Sequence, residues 1–167
     1  ERLLDDMGGL AEEQTLLDTV SPSEAEKNHL YLLLELGDDF IHAKEDDSNH
    51  KSWYTNADNY RVVTDSLKRL YKDLDTDEIL SEDEIVSRFM GIIADDLSDG
   101  VADTEVAKLW LRMSKRVGRN QMGKWGRTDS PNIKTRGVRD YAYLVLREHG
   151  KPMHFRDIAE EMGKRFE

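Results

Sequence analysis

Leu30-Tyr31-Leu32-Leu33-Leu34-Glu35-Leu36 leads through a polar tip to Trp53, and Leu109-Trp110-Leu111-Arg112-Met113 leads through a second polar stretch to Trp125. Each apolar run reads as a helix and each Trp-bearing stretch as a short hairpin. The two segments therefore read as copies of one folding unit.

Upstream of the first run, Gly8-Gly9 marks a turn, and Leu10, Leu16 and Leu17 give a short amphipathic helical stretch over 10–18. Ser21-Pro22-Ser23 breaks it, and Ser23 with Glu26 makes a capping box. The long helix that follows places Leu30, Leu33, Leu34 and Gly37 on one face. Phe40-Ile41-His42 and Trp53-Tyr54-Thr55 flank Glu45-Asp46-Asp47-Ser48-Asn49 as a hairpin.

The order then restarts. Val63, Leu67, Leu70 and Leu74 mark a helix, and Asp75-Thr76-Asp77-Glu78 an acidic turn. Ser81 with Glu84 is a second capping box, opening a helix through Ile85, Phe89 and Met90. Residues 95–103 form a polar turn in which Asp103 caps a helix over 104–117, with Val106, Leu109, Trp110, Met113 and Val117 on one side. Residues 117–126 end in Met122-Gly123-Lys124-Trp125-Gly126, the second hairpin, and Pro131 marks a linker. A third round follows. Val138, Tyr141, Ala142, Leu144 and Val145 make one helix, His149-Gly150-Lys151-Pro152 a turn, and Phe155, Ile158, Ala159 and Met162 the next helix.

The expected fold is mainly α with short β-hairpins (α+β), built as tandem winged-helix modules. An acidic module covers 1–57, a second with a basic third helix covers 58–130, and a truncated third covers 131–167. Trp53, Trp110, Trp125 and Phe155 are the expected wing and core anchors. Trp53 and Trp125 have stacking on bases as their other reading.

Charge divides the chain. Residues 1–107 hold 9 Lys+Arg against 28 Asp+Glu, whereas residues 108–167 hold 15 against 7. The acidic part repels nucleic acid and the basic part can hold phosphates; a soluble surface that is merely lopsided is the bland alternative. The absence of Cys excludes disulfides, zinc fingers, thiol catalysis and iron–sulfur ligation, and fits a reducing cytoplasm. No apolar run approaches the ~20 residues of a membrane span. Glu1 rather than Met at the first position leads to the expectation of a piece cut from a longer protein.

Residues 124–162 carry Val145-Leu146, Gly150-Lys151-Pro152-Met153, Phe155 and Asp157-Ile158. In that frame they resemble the start of a HARE-HTH domain, the winged helix of the RNA polymerase delta subunit and of some chromatin regulators. Leu36-Gly37-Asp38-Asp39-Phe40, His50-Lys51-Ser52-Trp53, Gly123-Lys124-Trp125-Gly126, Ile133 and Arg136-Gly137-Val138-Arg139-Asp140 extend the likeness. They are similar to the C-terminal half of sigma-factor-like transcription proteins. The resemblance implies a non-catalytic, cytoplasmic role in transcription beside RNA polymerase. It also implies that a promoter-reading helix-turn-helix lies upstream of Glu1.

Lys108, Arg112, Lys115, Arg116 and Arg119 recur at helical spacings opposite the Val106/Leu109/Met113/Val117 face, and Lys124 and Arg127 carry the charge into the wing. Lys134, Arg136 and Arg139 complete the expected contact set for double-stranded DNA. A solvated face that balances the acidic modules is the competing reading. The first module offers Glu24, Glu26, Glu35, Asp38 and Asp39, which suit protein contact or spacing rather than a duplex.

Asp73, Asp75, Asp77 and Glu84 have the spacing of a calcium loop, but Glu78 stands where the sharp turn needs Gly, so an acidic inter-helix turn is expected. His29, His42, His50, His149 and His154 show no paired-ligand frame, and no nucleophile-elbow or phosphate-loop motif occurs. No cofactor, metal or small-molecule substrate is expected.

Overall fold

The computed structural model describes residues 2–20, 23–97, 103–134 and 137–165. The chain opens with α1 (Arg2–Asp6), β1 (Leu10–Glu12), α2 (Glu13–Val20) and α3 (Glu24–Leu36), followed by β2 (Ile41–Ala43) and β3 (Ser52–Tyr54). The three strands form an antiparallel sheet in the order β1-β3-β2, with Trp53 between Ala11 and His42. The hairpin lies where the sequence places it. Leu10–Glu12 is strand rather than helix, because its backbone pairs with Leu10–Glu12's distant partners Ser52–Tyr54. Only Glu13 onward is helical. Ser23 stands at the N-cap of α3 without a side-chain cap bond. Leu34 is buried, but Leu33 points out, since one buried stripe on α3 cannot hold every leucine of so apolar a run.

The second run has the same plan. α4 (Ala57–Asp73) is followed by an extended Leu80, α5 (Glu82–Ile93), α6 (Thr104–Leu111), β4 (Val117–Arg119) and β5 (Trp125–Arg127). Leu80 exchanges both backbone hydrogen bonds with Trp125 at 2.8 Å, the counterpart of the β1–β3 pairing. Val63, Leu67, Leu70 and Leu74 are buried as a stripe, as their spacing predicts. The Ser81–Glu84 capping box forms in full: the Ser81 hydroxyl accepts from Glu84 N–H, and the Ser81 N–H donates to Glu84 Oε2 at 2.7 Å. The expected polar turn falls in part on residues 98–102, outside the described residues.

The helix expected over 104–117 ends at Leu111. Arg112, Met113 and Ser114 donate to carbonyls three residues back, which tightens the last turn. Ser114 then pairs with Asn49 of the first run, and its hydroxyl accepts from Arg116 and Val117 N–H. These bonds draw the backbone out of the helix. Val117 is consequently a buried strand residue, not part of the α6 face.

Of two core clusters, one (Leu4, Met7, Ala11, Leu16, Leu34 and Trp53) lies in the first run, and the other spans both runs. Leu10 packs in the cluster of Val63, Leu67, Phe89, Trp110 and Leu111. The indole N–H of Trp110 donates to the Met7 carbonyl at 3.0 Å. Gly8, at φ +77°, leaves room for that ring: a Cβ there would lie 2.5 Å from Trp110 Cζ2. His50 N–H donates to Met113 O, and Lys115 N–H to Ser48 O. Hairpin tip and α6 exit are thus stitched together.

Around Pro131, expected to mark a linker and itself exposed, Ser130, Asn132 and Ile133 are buried and pack inward. Asn120 Nδ2 donates to Asn132 O at 2.9 Å, and Asn132 Nδ2 to Asp77 O at 3.4 Å. α7 (Val138–His149) and α8 (Phe155–Arg165) follow, joined through Gly150 in the left-handed conformation. Leu144 and Val145 are buried. Phe155, an expected core anchor, is 68% exposed. It sits at the first position of α8 with its ring against His154 and the Arg156 guanidinium, and no described element covers it.

The whole is a helix-rich α+β protein with small antiparallel sheets. Among the described residues no helix is long and apolar enough to cross a membrane.

Candidate nucleic-acid interface

Lys108, Arg112, Lys115, Arg116 and Arg119, expected on one helix face, do not share it, because α6 ends at Leu111, before four of them. The fold sorts the nine described residues of the ten basic ones singled out into three groups.

Lys108, Arg112 and Arg119 line a cleft of about 270 Å³ together with Glu82 and Trp125. Lys108 comes from α6, Arg112 from the residue after it, and Arg119 from the end of β4. Glu105 holds the Lys108 ammonium at 2.7 Å and raises its pKa. Arg119 Nη1 is 4.0 Å from Glu82 Oε2, and Arg112 is exposed with no ion-pair partner among the described residues.

A second group is engaged within the protein, Lys115 by the acidic first run and Arg116 and Arg127 by the second. Lys115 Nζ lies 3.1 Å from Glu45 Oε2 and donates to the Asp46 carbonyl at 2.9 Å. Arg116 and Arg127 lie over the Tyr71 ring, at 5.4 and 4.3 Å from its centroid. Arg127 also bonds the Tyr71 hydroxyl and both Asp129 oxygens. That guanidinium holds the Asp129 carboxyl down to about 2, with help from the Tyr71 hydroxyl. A cation so engaged is less available to phosphate than one facing solvent.

Lys124, Lys134 and Arg139 form no tight pair among the described residues. Lys124 lines a separate, mostly apolar cavity with Ile79, Met122 and Leu144. Lys134 and Arg139 flank a shallow cleft that also holds Asp129 and Asp140. Arg139 lies 3.8 Å from Asp140 with its side chain 97% exposed. Arg136 lies outside the described residues.

Trp53, Trp110 and Trp125 are all buried, so the indoles anchor the hairpins and α6 instead of offering faces to bases. In the acidic inter-helix turn, Arg88 clasps both oxygens of Glu78 at 2.9 Å, and Glu84 is taken up by the Ser81 cap. Among the described residues, no cluster of three or more His, Asp or Glu has the geometry of a metal site.

Sequence reasoning missed Glu82 and the Trp125 N–H as members of the first cleft. It also missed Tyr71 and Asp129 as the partners that occupy Arg127. The signal for the cleft was present in the repeat: Trp53 and Trp125 occupy matching strand positions, beside Ala11 and Leu80 on one flank and His42 and Arg119 on the other. No protein-family model, curated protein or solved structure matches the chain.

Proposed function

We propose that this chain is the non-catalytic, DNA-contacting part of a cytoplasmic transcription regulator that works beside RNA polymerase, in the manner of the sigma-factor-like proteins its sequence resembles. One observation carries the reading: the first run has the plan helix, strand, helix, helix, strand, strand, with β1 paired to β3, and the second run parallels it, with the single bridging residue Leu80 paired to Trp125 where the first strand would stand. That order is the plan of a winged helix. In its second occurrence, cations from the third helix and the hairpin border one cleft. Cations on a helix end and an adjoining strand suit the phosphates of a duplex, which supply affinity without reading bases.

Titrating the chain onto labelled duplex tests this. Affinity falls with rising salt, with a log–log slope near −3 if about three cations each displace a counterion. Arg112→Glu combined with Arg119→Glu removes the binding. No detectable binding of the unaltered chain at low salt refutes the proposal.

A second reading has its own support. On α3, Leu32, Leu33 and Leu36 are exposed, the last at 71%, and Ile41 of β2 is exposed as well. An apolar strip bordered by Glu35, Asp38 and Asp39 suits a protein partner with an apolar, basic-rimmed surface, such as RNA polymerase. Co-sedimentation with purified RNA polymerase that Leu33→Ser and Leu36→Ser together abolish, with no duplex binding, selects this reading.

A further inference from the structure

The two copies place the same four positions around their Trp, keep a Glu at one of them and change the chemistry of the other three. Trp53 and Trp125 match through their strand partners. Glu13 and Glu82 then match, each opening the helix that follows the first strand. His42 and Arg119 match as cross-strand neighbours of the Trp. Seven residues before these stand Glu35 and Arg112, and eleven before stand Tyr31 and Lys108.

In the first copy the five side chains close on one another. The Trp53 N–H donates to Glu13 Oε2 at 3.2 Å. The His42 ring stacks on the indole at 4.3 Å and lies between two carboxylates, with Nε2 2.8 Å from Glu13 and Nδ1 3.4 Å from Glu35. Tyr31 lays its edge on both rings. The Glu35 carboxylate beside its hydroxyl holds that phenol above its ordinary range.

In the second copy the same positions stand open. Arg112 replaces a carboxylate and Lys108 replaces the Tyr, so three cations border a cleft of about 270 Å³ beside Glu82, with the Lys108 ammonium also held by Glu105 at 2.7 Å. Glu82 and Arg119 are 4.0 Å apart. The Trp125 indole N–H, on a residue only 5% exposed, has no hydrogen-bond partner among the described residues. A buried donor without an acceptor is uncommon and points to an acceptor supplied from outside.

We propose that the cleft bounded by Lys108, Arg112, Arg119 and Trp125 is a phosphate-binding site whose occupant is a phosphodiester of duplex DNA. The assignment rests on the DNA-contacting reading above for its source of phosphate, and on the cleft alone for its chemistry. The oxygens of one phosphate can accept from the Arg112 and Arg119 guanidiniums, the Lys108 ammonium and the indole N–H, all without a proton transfer. The first copy cannot do this, because Glu13 and Glu35 fill the acceptor positions.

The test follows the three indole N–H signals by ¹⁵N NMR of the full chain, assigned with Trp53→Phe, Trp110→Phe and Trp125→Phe. It uses three probes: inorganic phosphate, a 12-base-pair duplex and a polyglutamate peptide. The expected result is that phosphate and duplex both move the Trp125 signal downfield, while Trp53 and Trp110, already bonded within the fold, stay in place. Glu82→Gln tightens phosphate binding roughly three- to fivefold, as removing one unit charge at close range under near-aqueous screening gives. Arg119→Gln weakens it by a similar factor.

Duplex binding that leaves Trp125 unmoved overturns the site and spares the DNA-contacting reading. Phosphate moving Trp125 while the duplex does not bind keeps the anion site and overturns its assignment to DNA. A stronger response to polyglutamate than to duplex overturns the phosphate assignment in favour of an acidic protein partner. No response of Trp125 to any probe overturns the proposal entirely.

Discussion

Replacing Gly8 with Ala tests how the two runs are joined. Gly8 has φ +77°, a conformation that costs an L-residue about 1 kcal/mol. Its new methyl would also lie 2.5 Å from Trp110 Cζ2 and 2.7 Å from Val106 Cγ1. The indole cannot swing aside cheaply, because it is buried and its N–H is bonded to the Met7 carbonyl at 3.0 Å. Overpacking of this kind costs about 1–3 kcal/mol, so the total loss is ~2–4 kcal/mol. Gly9→Ala is the matched control. Its φ is +78°, yet its Cβ would meet only Thr55 Oγ1 at 3.3 Å, so the loss is ~1 kcal/mol.

Urea unfolding followed by tryptophan fluorescence measures both. Trp110→Leu in the Gly8→Ala background should recover part of the loss, a coupling that Trp110→Leu with Gly9→Ala lacks. Equal losses for the two glycine replacements, within ~0.5 kcal/mol, would refute the claim that the Gly8 turn and α6 are packed as one joint.

Three further outcomes follow from the geometry. Ser81→Ala removes the hydroxyl half of the α5 capping box and lowers stability by about 1 kcal/mol in the same urea assay. Phe89→Ala, at a fully buried core position, costs ~3–5 kcal/mol, and a loss under ~1 kcal/mol contradicts the assigned core. Asp129 is held by Arg127 at about 2, below its ordinary 3.8, so its stabilisation is complete above 3.8 and is lost as pH falls toward 2. The pair is half-exposed on the Asp129 side and screened, so that loss is ~1 kcal/mol or less. Acid titration of Asp129→Asn should lack this component, and an unchanged acid profile would show that the clasp contributes nothing.

Much of the architecture is legible locally. The α4 stripe of Val63, Leu67, Leu70 and Leu74 and the Ser81–Glu84 box need only their own neighbours to be recognised, because helical period and cap chemistry span a few residues. The hairpins at Trp53 and Trp125 are legible for the same reason. The binding surface was less so. Its cations are visible in the sequence, but their grouping depends on where α6 ends.

The chain by itself determined most of its helices, its two Trp-bearing hairpins and the division of charge between its parts. Tertiary structure decided the rest. A three-residue strand such as Leu10–Glu12 has too little pattern to declare itself and exists through hydrogen bonds to β3, some forty residues on. The end of α6 was set by the pairing of Ser114 with Asn49, and the exposure of Phe155 by the lack of any described element over it. Periodicity is a property of adjacent residues, whereas the cleft joins α5, α6 and two strands, so only the packed chain could bring Glu82, Arg112, Arg119 and Trp125 together.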